Sequence, residues 1–145
     1  MMSLARGRHL DAARTQEIYA AATEVLAEVG YERLTMDAVA THARASKATL
    51  YRHFPSKDAL VLAFLERRDA RWRSWFAEAV ERISPDRAGR PLAVFDALAE
   101  WFSSEDFRGC AFLNAAAEIA DPAHPARGAV RLHEERLAAH LGTLC

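Results

Sequence analysis

Apolar residues along this chain return at steps of three and four, and nowhere do they alternate. Ile18, Ala22, Val25, Leu26 and Val29 follow the helical period. Gly30 comes next, where a left-handed cap suits only glycine, so a first helix is expected from about Asp11 to Val29. Thr35 can cap a second, short helix with its hydroxyl. The buried stripe of that helix is Met36, Val39, Ala40 and Ala43. Ser46 caps a third, on which Leu50 and Phe54 share one face. Pro55 ends it, and Ser56 opens a fourth helix.

The fourth helix is long. Leu60, Phe64, Leu65, Trp72, Trp75, Phe76, Ala79, Val80 and Ile83 keep the period up to Pro85. Ser84 to Pro91, with prolines and Gly89, reads as a loop. Leu92, Phe95, Leu98, Ala99 and Phe102 predict a fifth helix, and Ser103 to Gly109 a break. Cys110 to Ala120 reads as helix, Asp121 to Pro125 as a turn, and Ala126 to about Leu141 as a last helix. The fold class is therefore all-α. Residues 10–56 form a trio of short helices, and residues 57–145 a second helical body reached through the long helix.

Composition adds limits more than content. With 145 residues, 51% hydrophobic and 27% charged, the chain is ordinary for a globular protein. No segment nears the ~20 apolar residues of a membrane span. The start has no apolar run after its basic residues, so it is no secretory signal, and the expected location is the cytoplasm. Cys110 and Cys145 fit no zinc or redox spacing and read as reduced thiols. The net charge of -1 does not announce a nucleic-acid partner. Any such site must come from where the charges sit.

They sit in one place. Arg44, Lys47, Arg52 and Lys57 fall in a stretch without an acid, whereas elsewhere acids and bases mix. The stretch covers two short capped helices joined by a tight turn, the pattern of a helix-turn-helix. The second helix of such a pair enters the major groove of DNA. Leu50 and Phe54 anchor it to the core, which turns Lys47, Ala48, Thr49, Tyr51 and Arg52 toward the groove. Tyr51 and His53 can donate to phosphate oxygens, and Thr49 can meet a base edge or a thymine methyl. The caps at Thr35, Ser46 and Ser56 leave helix N-termini whose amides can also hold phosphate. The arm Arg6, Arg8 and His9 reads either as a solvated tail or as a groove-reaching extension.

The runs Thr35-Met36-Asp37-Ala38-Val39-Ala40, Ala45-Ser46-Lys47-Ala48-Thr49-Leu50-Tyr51-Arg52-His53-Phe54 and Ser56-Lys57-Asp58-Ala59-Leu60 resemble the DNA-binding domain of the TetR family. The resemblance covers about Ala12 to Phe64. It implies phosphate contacts for Thr35, Tyr51, His53 and Lys57, and groove contacts for Lys47, Ala48 and Thr49. One departure stands out, because the turn usually carries a glycine where this chain has Arg44. A left-handed turn at a non-glycine is strained, so either the turn differs or Arg44 itself reaches the DNA backbone. The expected DNA-binding set is thus Thr35, Arg44, Ser46, Lys47, Ala48, Thr49, Tyr51, His53 and Lys57.

A weaker resemblance runs on through Arg108-Gly109-Cys110-Ala111-Phe112-Leu113-Asn114 and Asp121-Pro122-Ala123-His124-Pro125, similar to the effector domain of a TetR subgroup. It implies that residues 57–145 are a ligand-binding and dimerisation domain, in which a small molecule releases DNA. Trp75, Phe76, Phe95, Trp101, Phe112, Asn114 and His133 are the pocket candidates. The aromatics can equally be ordinary core, and Asn114 a cap or backbone partner. Cys110 as a redox sensor has only Arg108 beside it. His124, His133 and His140 lack carboxylates at metal spacing, so neither metal nor cofactor is expected. The family dimerises through two further helices, and this chain stops at Cys145. It is either short of those helices or uses another surface for its homodimer.

The reading is a sequence-specific DNA-binding repressor released by an effector. A DNA-binding protein without an effector is its alternative. An enzyme would need a nucleophile elbow, a phosphate-binding glycine loop or a metal pair, and the sequence shows none.

Overall fold

The computed structural model describes residues 12–145. The basic arm and the expected helix start at Asp11 lie outside these residues. Among the described residues there are seven α-helices and a single 3₁₀ turn. The chain divides into two compact units, with the division between Lys57 and Asp58.

The first unit holds α1 (Ala12–Arg33), α2 (Met36–His42) and α3 (Lys47–His53). Its core is built from the expected stripes, with Ile18, Ala22, Val25, Val39, Ala40, Leu50 and Phe54 all buried. The rings of Tyr19 and Phe54 meet edge to face at 5.9 Å. Gly30 departs from the expected left-handed helical cap. It lies at φ 78°, ψ -179°, a mirror-extended region open in practice only to glycine. The chain kinks there and resumes helical form up to Arg33. The reason is packing: the kink returns Tyr31 and Leu34 to the core, at 5% and 2% exposure, and leaves Val29 outside.

The second unit contains most of α4 (Lys57–Ile83), then α5 (Arg90–Phe102), α6 (Ala111–Glu118) and α7 (Pro125–Thr143). Phe76, Ala79 and Val80 of α4 form a buried cluster with Ala93 and Ala97 of α5, flanked by Leu137 and Leu141 of α7. The expected loop Ser84 to Pro91 is shorter than the sequence suggests. Arg87–Gly89 forms the 3₁₀ turn, and Pro91 already lies in the first turn of α5, where its missing N–H costs nothing. Pro125 likewise opens α7, capped by the His124 ring, whose Nδ1 accepts from the Ala126 amide at 3.1 Å. On its other side His124 Nε2 meets Asp58 Oδ1 at 3.0 Å.

Candidate nucleic-acid interface

The turn between α2 and α3 sets the geometry of the reading head. Thr35 Oγ1 accepts from the Ala38 amide at 3.1 Å, and Ser46 Oγ from the Thr49 amide at 3.1 Å. The caps expected for α2 and α3 are therefore made, and each of these helices starts where its hydroxyl residue stands. Between them Arg44 takes a left-handed conformation, φ 51°. It is the only non-glycine among the described residues to do so. The turn therefore does not change its hand: it keeps the left-handed form without glycine. Its strain is met by a residue the sequence analysis did not single out. Arg14 of α1 donates to Ala43 O at 2.9 Å and to Arg44 O at 2.8 Å.

The candidate DNA contacts lie in the first unit. Thr35, Arg44, Ser46, Lys47, Ala48 and Tyr51 are exposed, while Thr49, His53 and Lys57 are half-buried. Tyr51 presents 44% of its surface, consistent with an outward phenol beside the inward Leu50. Thr49 is drawn back toward its cap: Ser46 Oγ donates to Thr49 Oγ1 at 2.8 Å. That bond uses one acceptor site and leaves the Thr49 hydroxyl hydrogen available for a base edge. Lys57 Nζ donates to Glu32 O at 2.7 Å, an oxygen in the short helical stretch beyond the Gly30 kink. An ammonium has three donors, so this anchor still leaves two for phosphate.

The acid-free stretch gains a carboxylate in three dimensions. Asp37, in the first turn of α2, lies 2.9 Å from Lys47 Nζ. Its hydrogen bond, then its charge, raises the lysine pKa above the ordinary value. Both side chains are more than 60% exposed, so the pair is weak and salt-screened. A linear scan for acids between Arg44 and Lys57 cannot find Asp37, because the partner comes from the preceding helix.

The seven pocket candidates do not converge on one place. Trp72, absent from that set, gathers several of them. It stacks on Phe76 at 4.8 Å, meets Trp101 edge-on at 5.3 Å, and meets His133 edge-on at 5.6 Å. Phe112 lies flat on His133, with ring centres 3.7 Å apart. Trp75 packs against the Phe76 cluster. Phe95 is 68% exposed on α5, outside this group. Asn114 is exposed too, and it serves the chain: Nδ2 donates to Arg108 O at 3.1 Å. A Cβ at Gly109, which has φ 83°, would sit 3.3 Å from that same nitrogen, so Asn114 braces the loop entering α6.

His133 also has a structural partner. Its Nδ1 lies 2.7 Å from Asp69 Oδ1. Asp69 is a carboxylate at 3% exposure that further accepts from Arg73 at 2.9 and 3.0 Å and from Arg136 at 2.7 Å. Burial pushes its pKa up, but the hydrogen bonds from Arg73, His133 and Arg136 outweigh it and hold it at about 2. Two buried polar atoms near this cluster lack a hydrogen-bond partner, Trp72 Nε1 and His140 Nε2. His140 packs edge-on to Phe76 at 6.0 Å.

Comparison with known proteins places this arrangement. Residues 18–64 match the family described as "Bacterial regulatory proteins, tetR family". An uncharacterized HTH-type transcriptional regulator of Mycobacterium tuberculosis is 59% identical over 54 residues, which are 37% of this chain and 27% of that protein. The transcriptional activator FasR of Mycolicibacterium smegmatis is 35% identical over 96 residues, 66% of this chain and 43% of that one. The chain thus spans less than half the length of these relatives. A TetR-family transcriptional regulator from Streptomyces coelicolor, solved by crystallography, superimposes with a TM-score of 0.75 at 38% identity, over 84% of this chain and 64% of that one. The matched family, the capped α2–turn–α3 pair and this superposition agree: residues 18–64 carry a helix-turn-helix of the TetR type, and the chain is similar in sequence and fold to TetR-family transcriptional regulators.

Proposed function

We propose that this chain is the reading head and core of a transcriptional regulator that binds duplex DNA through α3 and yields it to a small-molecule effector. The observation that carries the DNA part is the exposed face of α3 and its flanks. Arg44, Lys47, Arg52 and Tyr51 are presented to solvent there, while Leu50 and Phe54 hold the helix to the core. Phosphate contacts from Tyr51, His53 and Lys57 would set register, and Lys47, Ala48 and Thr49 would read base edges. A single head makes few contacts, so the working form is a homodimer with heads one DNA turn apart, roughly 34–36 Å.

The effector part rests on the second unit. Trp72 Nε1 and His140 Nε2 are buried without hydrogen-bond partners, and both rings contact the Phe76 ring. An unsatisfied buried polar group costs about 1–3 kcal/mol, so a molecule offering matching polar atoms beside aromatic surface would gain from both. Repression is the first reading. Activation is the second, favoured by the likeness to the M. smegmatis activator.

Selection of a duplex from a random pool, with titration across salt, tests this. The expected product is a two-fold symmetric site bound with a salt slope steeper for the unaltered chain than for Lys57→Ala. Tyr51→Phe should weaken binding alike on all sequences. If no duplex is enriched at low salt, the DNA reading fails.

A further inference from the structure

The turn between α2 and α3 is held from outside, by α1. Arg44 is a side-chain-bearing residue at φ 51°, a conformation in which Cβ crowds the following carbonyl oxygen. The relief comes through the backbone oxygens. The Arg14 guanidinium bonds the consecutive carbonyls of Ala43 and Arg44 at 2.9 and 2.8 Å, and the same group is steadied by Glu17 at 2.6 Å. A planar fork with several donors in fixed geometry suits two adjacent acceptors, where a single point charge would not. The turn amides are tied as well, Arg44 N to Thr41 O at 3.1 Å and Ala45 N to Ala40 O at 2.9 Å.

We infer that Arg14 is a positioning residue for DNA recognition: it locks the left-handed turn at Arg44, and through it the angle at which α3 is presented. Arg14 touches the turn by its guanidinium and needs no contact with DNA. The chain thereby keeps the side chain of Arg44 on the exposed face, where a glycine would offer none. The affinity readout of this proposal rests on the DNA-binding reading above, but its structural readout does not.

The test is a double-mutant cycle on the full chain with Arg14→Met and Arg44→Gly, using the duplex enriched from the random pool. Methionine keeps an unbranched apolar stem and the helix preference of position 14. Glycine removes the strain at position 44. Arg14→Met is expected to weaken binding roughly tenfold, as loss of charged hydrogen bonds implies, with an unchanged salt slope. In the Arg44→Gly background the same substitution should cost less than about threefold, on the scale of coupled neighbours. The cycle cancels whatever the lost Arg44 side chain contributes by itself. Equal losses in both backgrounds would overturn the proposal. So would a salt slope lowered by about one contact, since Arg14 would then be a phosphate ligand.

Hydrogen exchange without DNA supplies the second arm. The Arg44 and Ala45 amides should exchange faster in Arg14→Met and recover protection in the double variant. Unchanged exchange in Arg14→Met refutes the lock, whatever the DNA result. If the unaltered chain binds no duplex while exchange behaves as expected, the lock stands and the DNA reading falls.

Discussion

Asp69→Asn removes one negative charge from the middle of the second unit and leaves the shape almost intact. The carboxylate is buried, and it accepts from Arg73, His133 and Arg136. Its folded pKa of about 2 against an ordinary 3.8 corresponds to about 2 kcal/mol of stability at neutral pH. The asparagine also turns an amide N–H toward donors, and His133 stays buried at 6% exposure. Breaking a buried ion cluster from one side costs about 3–5 kcal/mol. Arg73 and Arg136 are partly exposed here, so they can turn to water and lower that figure. The expected loss is about 2–4 kcal/mol, or a fall in Tm of roughly 5–15 °C. Urea unfolding followed by tryptophan fluorescence is the assay, because Trp72, Trp75 and Trp101 all belong to the second unit.

The pH dependence gives the same experiment a sign. A carboxylate with a depressed folded pKa contributes fully above its unfolded value and loses that contribution as pH falls through the folded one. The deficit of Asp69→Asn should therefore hold steady above about pH 5 and close as the pH falls from about 4 toward 2. A deficit below about 0.5 kcal/mol at neutral pH, the range of an ordinary surface change, would refute the reasoning. So would a deficit that does not narrow in acid.

Two further outcomes test the first unit. Asp37→Asn should tighten DNA binding up to about fivefold at low salt, since it frees Lys47 from an exposed, salt-screened pair; unchanged or weaker binding in the titration would show that the pair does not compete with DNA. Gly30→Ala should lower stability by about 1–3 kcal/mol, because φ 78°, ψ -179° is closed to a side chain. Thermal unfolding by circular dichroism checks it, and a melting point within a degree of the unaltered chain would mean the kink relaxes freely.

Helix number and order were legible from the periodicity alone. So were the caps at Thr35 and Ser46 and the anchoring of α3 by Leu50 and Phe54. These features depend on neighbours within about one helical turn, the range over which sequence pattern speaks directly. The ends of elements were less legible. Tyr31 to Arg33 are helical again after Gly30, and Pro91 belongs to α5 rather than to the loop. Packing decided the first case, and the tolerance of proline in a first turn the second.

The candidate pocket was the least legible region. Aromatic spacing on single helices could not say that Trp72 would gather Phe76, Trp101 and His133. Nor could it say that Phe95 would stay on the surface and Asn114 would brace a loop. Asp69 lay unremarked in the stripe of α4, since a lone acid there reads as a solvated charge. Only its partners on α7 make it a buried centre.

The sequence by itself thus determined an all-α chain with a capped helix-turn-helix and a cationic third helix, because periodicity, capping and local charge are short-range properties. Only the tertiary structure decided that Arg14 holds the strained turn, that Asp37 sits on Lys47, and that Asp69 joins α4 to α7. Those are meetings of residues from different helices, and their energies depend on distances and burial that no single helix contains.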